Sequence, residues 1–103
     1  MICAVFCGFD AVRISGHAGF AVHGEDIVCA AVTSAFQFCA NGITEILRVD
    51  AHVSIGSDTV SIELPDHASL AAKDFLRALK LHLTILCEQY PENIQIMEDS
   101  SND

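Results

Sequence analysis

The sequence predicts an α+β domain of two layers, with one mainly antiparallel sheet and two helices packed on one face of it. Apolar and polar residues alternate in two pairs of short segments, and a longer stretch with apolar residues at helical spacing follows each pair. A short alternating segment closes the chain, which gives the order ββ-α-ββ-α-β. The 103 residues fit one domain, because chains usually split only beyond about 250 residues. We expect residues 1–97 to form this domain and residues 98–103 to form an acidic, frayed tail.

The first hairpin is predicted from residues 1–16. The segment Met1–Cys7 is apolar on both faces and ends at a Gly-Phe-Asp turn signal. Beyond the turn, Val12 and Ile14 alternate with polar residues, as in a strand with one buried face. Two such runs joined by a short turn favour an antiparallel hairpin.

The first helix is predicted to begin with Asp26 as its N-cap, which makes Cys29 the third helical residue. Apolar residues cover almost its whole circumference, so it must be buried on two sides. Asn41-Gly42 weakens its second half by roughly 1 kcal/mol relative to alanine and allows a break there.

The second half of the chain repeats the pattern. Residues 49–64 alternate strictly around a Gly-Ser-Asp turn, which predicts a hairpin with one face in water. Pro65-Asp66 then opens a second helix over residues 67–89, Pro91 stops it, and a short last strand follows. Because the apolar stripes of both helices are wider than one sheet face can cover, we expect a homodimer that buries helix surface.

The chain is acidic, with 5 Lys plus Arg against 14 Asp plus Glu and a net charge of −9. Binding to nucleic acid is therefore not expected, because neutralising phosphates needs clustered cations. The sequence also has no glycine-rich phosphate loop and no interleaving of basic and aromatic residues. The acidic surface either complements a basic partner or only keeps a small apolar domain soluble.

The five cysteines indicate a reducing compartment. Their number is odd and they lie in apolar runs, whereas a secreted disulfide framework needs pairs in loops. We expect four of them in the core, namely Cys3, Cys7, Cys39 and Cys87. The longest apolar runs fall short of the about 20 residues of a membrane span, and no basic segment precedes the first of them. The sequence thus predicts a cytoplasmic protein that does not bind a membrane.

Cys29 and His17 are the candidate catalytic pair. A cysteine attacks a carbonyl as its thiolate, and a helix N-terminus with a neighbouring imidazolium lowers the thiol pKa from about 8.5 to roughly 3.5–7.5. Cys29 is predicted at such a helix start, whose free N–H groups could also hold an oxyanion. His17 follows Gly16 at the end of the second strand, and a hairpin next to the helix start could bring its ring beside Cys29. The alternative is an inert core cysteine, the usual role of Cys in an apolar helix.

The segment from Gly16 to Ser34, GHAGFAVHGEDIVCAAVTS, resembles the signature of the ribosomal-processing cysteine proteases (Prp). In that family a Gly-His-Ala run precedes an Asp, two apolar residues, Cys and Ala. The resemblance is specific over about twenty residues and extends loosely over the whole chain. Thr33 departs from it, since many relatives have serine there.

The resemblance implies a small homodimeric endopeptidase with His17 and Cys29 as its catalytic dyad. Its implied substrate is the precursor of large-subunit ribosomal protein twenty-seven, from which it trims a short N-terminal extension after a pair of aromatic residues. The family's glycine and aspartate correspond to Gly16 and Asp26. No metal and no cofactor is implied.

Two neighbours of the dyad have two interpretations each. Asp26 either orients His17 as the third member of a triad or is only the helix cap. Thr33, one turn after Cys29, either lines the substrate pocket or bonds back to the Cys29 carbonyl.

Residues 18–25 are predicted to form a lid over the site, with Gly19 and Gly24 as its flexible points. Phe20 and His23 are candidates for substrate contact. The available His, Asp and Cys side chains match no closed zinc-site spacing. The remaining functional alternative is a non-catalytic homodimeric module that binds a peptide or a ribosomal partner, with Cys29 buried and unreactive.

Overall fold

The computed structural model describes residues 1–16 and 23–99, with the backbone alone for residues 23–26. Its elements follow the predicted order ββ-α-ββ-α-β, with a short π-helical turn after the first helix. They are β1 (Ile2–Cys7), β2 (Ala11–Ser15), α1 (His23–Asn41), the π-helical turn (Gly42–Ile46), β3 (His52–Ile55), β4 (Thr59–Glu63), α2 (Leu70–Gln89) and β5 (Ile94–Glu98).

The five strands form one sheet in the order β3-β4-β2-β1-β5. All neighbours are antiparallel except β1 and β5, which run parallel with Ile2 opposite Ile94. The prediction of a mainly antiparallel sheet is therefore confirmed. The order leaves β3 and β5 at the two edges and puts the end of β2 beside the start of β1.

Both helices pack on the same face of the sheet. Strand residues Ile2, Ala4 and Phe6 alternate with half-buried neighbours, and their buried side chains meet those of α1 and α2 in one core. The largest fully buried side chains are Phe6, Phe36, Ile43, Ile62, Leu76, Leu83, Ile94, Val12 and Val28. This core fixes α1 and α2 relative to the strands, so the two-layer arrangement is confirmed.

Cys3 and Cys7 lie on the opposite, helix-free face of the sheet and are only half-buried. The prediction that they belong to the core is wrong, because β1 turns Ile2, Ala4 and Phe6 towards the helices instead. On the helix-free face the Cys3 thiol donates to Met97 Sδ at 3.6 Å. Cys39 is buried as predicted, and Cys87 is half-buried against the core.

Helix α1 begins at His23, earlier than predicted. Asp26 is therefore not the N-cap but lies three residues inside the helix, and Cys29 lies in the second turn. The glycine and acidic residues at 24–26 are not a barrier to helix formation, because acidic side chains are favourable in a first turn. The prediction of Asp26 as the cap is wrong.

The predicted break at Asn41-Gly42 is present as a change from α-helix to π-helix. The Leu47 N–H donates to the Gly42 carbonyl at 3.0 Å, five residues back. A Cβ at Gly42 would lie 2.5 Å from Cε1 of Phe75, so only glycine fits where this turn crosses α2. Arg48, with φ at 57°, then ends the helical segment.

Helix α2 begins later than predicted. Its N-cap is Ser69, whose hydroxyl accepts the Ala72 N–H at 3.2 Å. Pro65 instead starts a separate turn, in which the Ala68 N–H donates to the Pro65 carbonyl at 3.1 Å. The residues from Pro65 to Ser69 thus connect β4 to the helix.

Glu98, assigned to the tail by the sequence, is the last residue of β5. Its carboxylate lies 3.0 Å from Lys80 Nζ, and the Asp99 N–H donates to the Phe6 carbonyl at 2.8 Å. The ordered sheet therefore extends beyond the boundary at residue 97.

The segment Ile27–Ile46 is long and apolar enough, by length and composition, to cross a membrane. Unbroken apolar runs did not indicate this segment, because polar residues interrupt it. In the fold, Val28, Val32, Phe36 and Ile43 of this segment are buried in the core. A core helix of a globular domain has the same composition, and the packing here is of that kind.

Gly16 and Gly8 provide a test of how tightly the end of β2 is packed. Both have positive φ, 76° and 55°. A Cβ at Gly16 would collide with the Met1 carbonyl, whereas one at Gly8 would have Asp10 Oδ2 as its nearest neighbour, at 3.9 Å. We expect Gly8→Ala to lower the free energy of unfolding by about 1–2 kcal/mol through backbone strain. Gly16→Ala should lower the free energy of unfolding by about 1–3 kcal/mol more than Gly8→Ala does, because its Cβ collides with the Met1 carbonyl. Urea denaturation measures both, and equal losses would contradict this packing.

Candidate active site

A cavity of about 230 Å³ opens between α1 and the ends of β2, β3 and β4. Helix α1 contributes one wall and the β3–β4 turn contributes the other. It is lined by Ile2, Ile14, Gly16, Cys29, Val32, Thr33, Phe36, Gln37, Ile55, Gly56, Ser57, Asp58, Thr59 and Val60. The cavity thus brings together Gly16, Cys29 and Thr33, three of the residues predicted for the site.

Cys29 faces the cavity because of its position on α1. Val28, Val32 and Phe36 of this helix are buried against the sheet. Cys29 lies beside this buried stripe, is half-buried, and packs against the rim of the core. Its sulfur is therefore held in place by packing and yet open to a molecule in the cavity.

The cavity has an apolar floor and a polar rim. Ile14 and Phe36 are buried beneath it, whereas Thr33, Gln37 and Asp58 are exposed around it. The Asp58 carboxylate accepts the Thr59 hydroxyl at 3.3 Å, which orients it at the turn. Such a combination suits a peptide, whose side chains enter an apolar space while its backbone needs hydrogen-bonding partners.

Cys29 is the one cysteine of the five that lines this cavity. Cys39 is buried between the helices, where its thiol donates to the Phe75 carbonyl at 3.5 Å. Burial raises the pKa of Cys39 to about 12, because the charged thiolate is poorly solvated there. Cys87 donates to the Ile94 carbonyl at 3.2 Å. Cys39 and Cys87 therefore have structural roles.

The early start of α1 changes how Cys29 can be activated. In a regular helix a residue of the second turn has its own N–H bonded to the carbonyl four residues back. The free N–H groups belong to the first turn of α1, before Cys29, and the dipole effect falls off within that turn. The prediction that Cys29 sits among free helix N–H groups is wrong.

The Thr33 hydroxyl is exposed and lines the cavity. Thr44 and Thr84 donate to the carbonyls four residues back, at 3.0 and 2.7 Å. Thr33 makes no such bond to Cys29 among the described residues. Of the two interpretations of Thr33, the structure therefore favours a residue of the pocket wall.

Several predicted residues fall outside the described part of the chain. His17, Gly19 and Phe20 are among them, as are the side chains of His23 and Asp26. Residues 23–25, however, belong to the first turn of α1, so the predicted lid is too long at its C-terminal end. His23 and Gly24 are helical residues and not lid residues.

The sequence analysis missed the contribution of the β3–β4 turn. Ser57 and Asp58 line the cavity together with Ile55 and, from α1, Gln37. Gln37 carried a signal, since it is a polar residue two turns after Cys29 on the same face of a mostly apolar helix. The turn carried none, because a Gly-Ser-Asp sequence is common in any hairpin.

Comparison with known proteins identifies the family of this chain. Residues 1–95 match the family described as cysteine protease Prp. The chain belongs to this family. It is a cysteine protease, as the resemblance of residues 16–34 implied.

Similar proteins are found both by sequence and among solved structures. The ribosomal processing cysteine protease Prp of Bacillus subtilis (strain 168) is 26% identical over 95 residues, which cover 86% of this chain and 85% of that protein. An essential ribosomal processing protease Prp from S. aureus, in complex with a covalently linked product peptide, superposes with a TM-score of 0.85 at 23% identity. That match covers 96% of this chain and 100% of the other. A Streptococcus mutans protein gives a TM-score of 0.83 at 27% identity, with 96% of each chain covered. The predicted α+β fold is confirmed by these matches.

Thiol labelling tests the difference between Cys29 and Cys39. With iodoacetamide at pH 8, we expect Cys29 to react at least about 100-fold faster in the folded protein, because only thiolates react and Cys39 stays protonated. Between pH 8 and 10 the rate at Cys39 should rise about tenfold per pH unit, since the thiolate fraction grows until the pH reaches its pKa of about 12. Peptide mapping by mass spectrometry gives both rates. Equal rates in the folded protein would contradict the assignment, and unfolding in urea is the control that exposes Cys39.

Proposed function

We propose that the protein is an endopeptidase that removes the short N-terminal extension of large-subunit ribosomal protein twenty-seven, with Cys29 as nucleophile and His17 as general base. The observation that carries this proposal is the half-buried Cys29 at a cavity of about 230 Å³ in a member of the Prp family. Removal of the extension permits ribosome assembly.

Proton transfer by His17 accounts for both halves of the reaction. His17 takes the thiol proton, and the Cys29 sulfur attacks the scissile carbonyl carbon. When the tetrahedral intermediate collapses, His17 gives this proton to the leaving amine. Water then hydrolyses the acyl-enzyme, again with His17 as the base. Gly16, the residue before His17 in the sequence, lines the cavity, which supports this role for His17.

Asp26 orients His17 in this scheme, as the third member of a triad. Its place within α1, and not at the cap, removes the competing role as an N-cap. Thr33 and Gly16 line the substrate cavity. Gly19 and Phe20 belong to the segment that joins β2 to α1 and contact the substrate from there.

The choice of substrate is supported by the relatives and by charge. The B. subtilis relative is named for ribosomal processing, and S. aureus Prp has been crystallised with a substrate peptide. A net charge of −9 attracts a basic substrate over distances of about a Debye length, roughly 8–10 Å. We place the enzyme in the cytoplasm, where its five free cysteines stay reduced.

Cleavage of the extended ribosomal protein tests the proposal directly. We expect the wild-type enzyme to release the extension and Cys29→Ser to lose activity by at least about 10³-fold, because a serine hydroxyl without a strong base is a poor nucleophile. Mass spectrometry of the product gives its new N-terminus.

Cys87→Ser is the matched control. Cys87 is half-buried like Cys29 but lies on the far helix, away from the cavity. It should retain the wild-type cleavage rate. Full cleavage by a folded Cys29→Ala variant would contradict the proposal and favour the non-catalytic binding module.

We also propose that the enzyme is a homodimer joined through its helices. A groove of about 610 Å³ runs between the outer faces of α1 and α2, and the small residues Ala31, Ala35 and Ala78 lie along it. Phe38 stands at its border with 75% of its surface exposed. A second copy fits here, since a large residue beside a groove of small residues is self-complementary across a two-fold axis.

Sedimentation analysis of Phe38→Glu tests the dimer. A carboxylate placed in an apolar interface should raise the dimer dissociation constant by about 30-fold or more. Met97→Glu on the helix-free face, where Met97 is 45% exposed, is the control and should leave the dimer unchanged. A monomeric wild type, or an unaffected Phe38→Glu dimer, would contradict this interface.

A further inference from the structure

A second cavity continues from the one that holds Cys29. It has a volume of about 700 Å³ and lies between α1, the π-helical turn and the edge strand β3. Both cavities are lined by Phe36, Gln37 and Ile55, so they adjoin along these residues and together border β3. We call this the β3 groove. It begins at Cys29 and ends near Thr44 and Glu45.

The free side of β3 presents backbone hydrogen-bonding groups to this groove. The Gly56 N–H donates to the Thr59 carbonyl at 2.8 Å, which makes these two residues a hydrogen-bonded pair. Along an antiparallel ladder, such pairs alternate with pairs that are not hydrogen-bonded to each other. Ile55 and Val60, the next pair along, are of this second kind. Ser54 and His52 therefore point their N–H and C=O groups at β4. Val53 and Ile55 point theirs away from β4, along the open edge.

The groove has the length of a short extended peptide. Its helical wall runs from Cys29 through Thr33 and Gln37 to Thr44, fifteen residues in sequence. At about 1.5 Å per helical residue this wall is roughly 22 Å long. Six or seven residues in extended conformation, at about 3.3 Å each, cover the same distance.

The side chains of the groove select what can lie in it. Ile55 is on the helix side of the edge strand with 70% of its surface exposed, next to the buried ring of Phe36, and offers contact to an apolar side chain. Among the described residues that line the groove, the charged ones are Asp58 and Glu45, at its two ends. An apolar or basic segment is therefore favoured over an acidic one.

We propose that the substrate binds in the β3 groove as an added strand, with its backbone hydrogen-bonded to Val53 and Ile55 and its scissile bond at Cys29. This inference rests on the proposed function and extends it to the way the substrate is recognised. Only residues on one side of the scissile bond pair with β3. Backbone pairing supplies affinity, and the alternate side chains directed at Phe36 and Ile55 supply selectivity.

N-methylation of the substrate backbone tests this pairing. A peptide spanning the processing site is made in versions that carry one N-methyl group each, at successive positions on both sides of the scissile bond. On the paired side we expect kcat/KM to fall by roughly 3- to 10-fold at every second position and to change little between them, because alternate N–H groups face β3. Absence of this alternation on both sides, with the unmodified peptide cleaved normally, overturns the groove and leaves the proposed function standing.

A variant of the enzyme gives an independent test of the pairing between substrate and β3. Val53→Pro removes one N–H from the free edge, a position that tolerates proline because that N–H is not used in the sheet. We expect KM to rise roughly 3- to 10-fold with little change in kcat, while Val53→Ala, which keeps the N–H, retains a larger share of the affinity. Equal KM values for a folded Val53→Pro variant and the wild type overturn the proposal. If Val53→Pro does not fold, the N-methyl series decides alone, and failure to cleave any peptide overturns both proposals together.

Discussion

Helix α1 is held against the sheet by Val28, Val32 and Phe36, and this contact determines where Cys29, the proposed nucleophile, lies. A helix buried along one stripe has a fixed rotation, so the neighbouring residues of each turn must lie at the border between core and solvent. Cys29 and Thr33 occupy that border. The sulfur therefore needs no loop to hold it, and core packing supplies the rigidity that a catalytic position requires.

Helix α1 carries two cysteines, Cys29 and Cys39, in different environments. Cys39 lies deep between α1 and α2, where desolvation keeps its thiol neutral. Cys29 lies about ten residues earlier, at the mouth of a cavity with polar groups around it. Since α1 starts a full turn before Cys29, the thiol does not lie among the free N–H groups of the helix end. The base that we propose for Cys29 is His17, which follows the end of β2 in the sequence.

The sheet order gives the active site its extent. Because β3 is an edge strand, the wall opposite α1 ends in backbone groups that no strand in the described part of the chain pairs with. The π-helical turn continues the helical wall past Asn41 and keeps the groove lined on both sides. Glycine at position 42 makes this turn compatible with α2, since Phe75 occupies the space of a Cβ.

The sequence alone determined the element order and the position of Cys29 and Thr33 on one helix face, because periodicity and spacing are local properties. It could not determine that Cys3 and Cys7 face away from the core, since an apolar strand gives no sign of which face the helices cover. Nor could it determine where α1 begins or that Ser57 and Asp58 border the cavity. Those facts depend on how segments that are distant in sequence pack together. The free energy of this packing cannot be read from any single stretch of the chain.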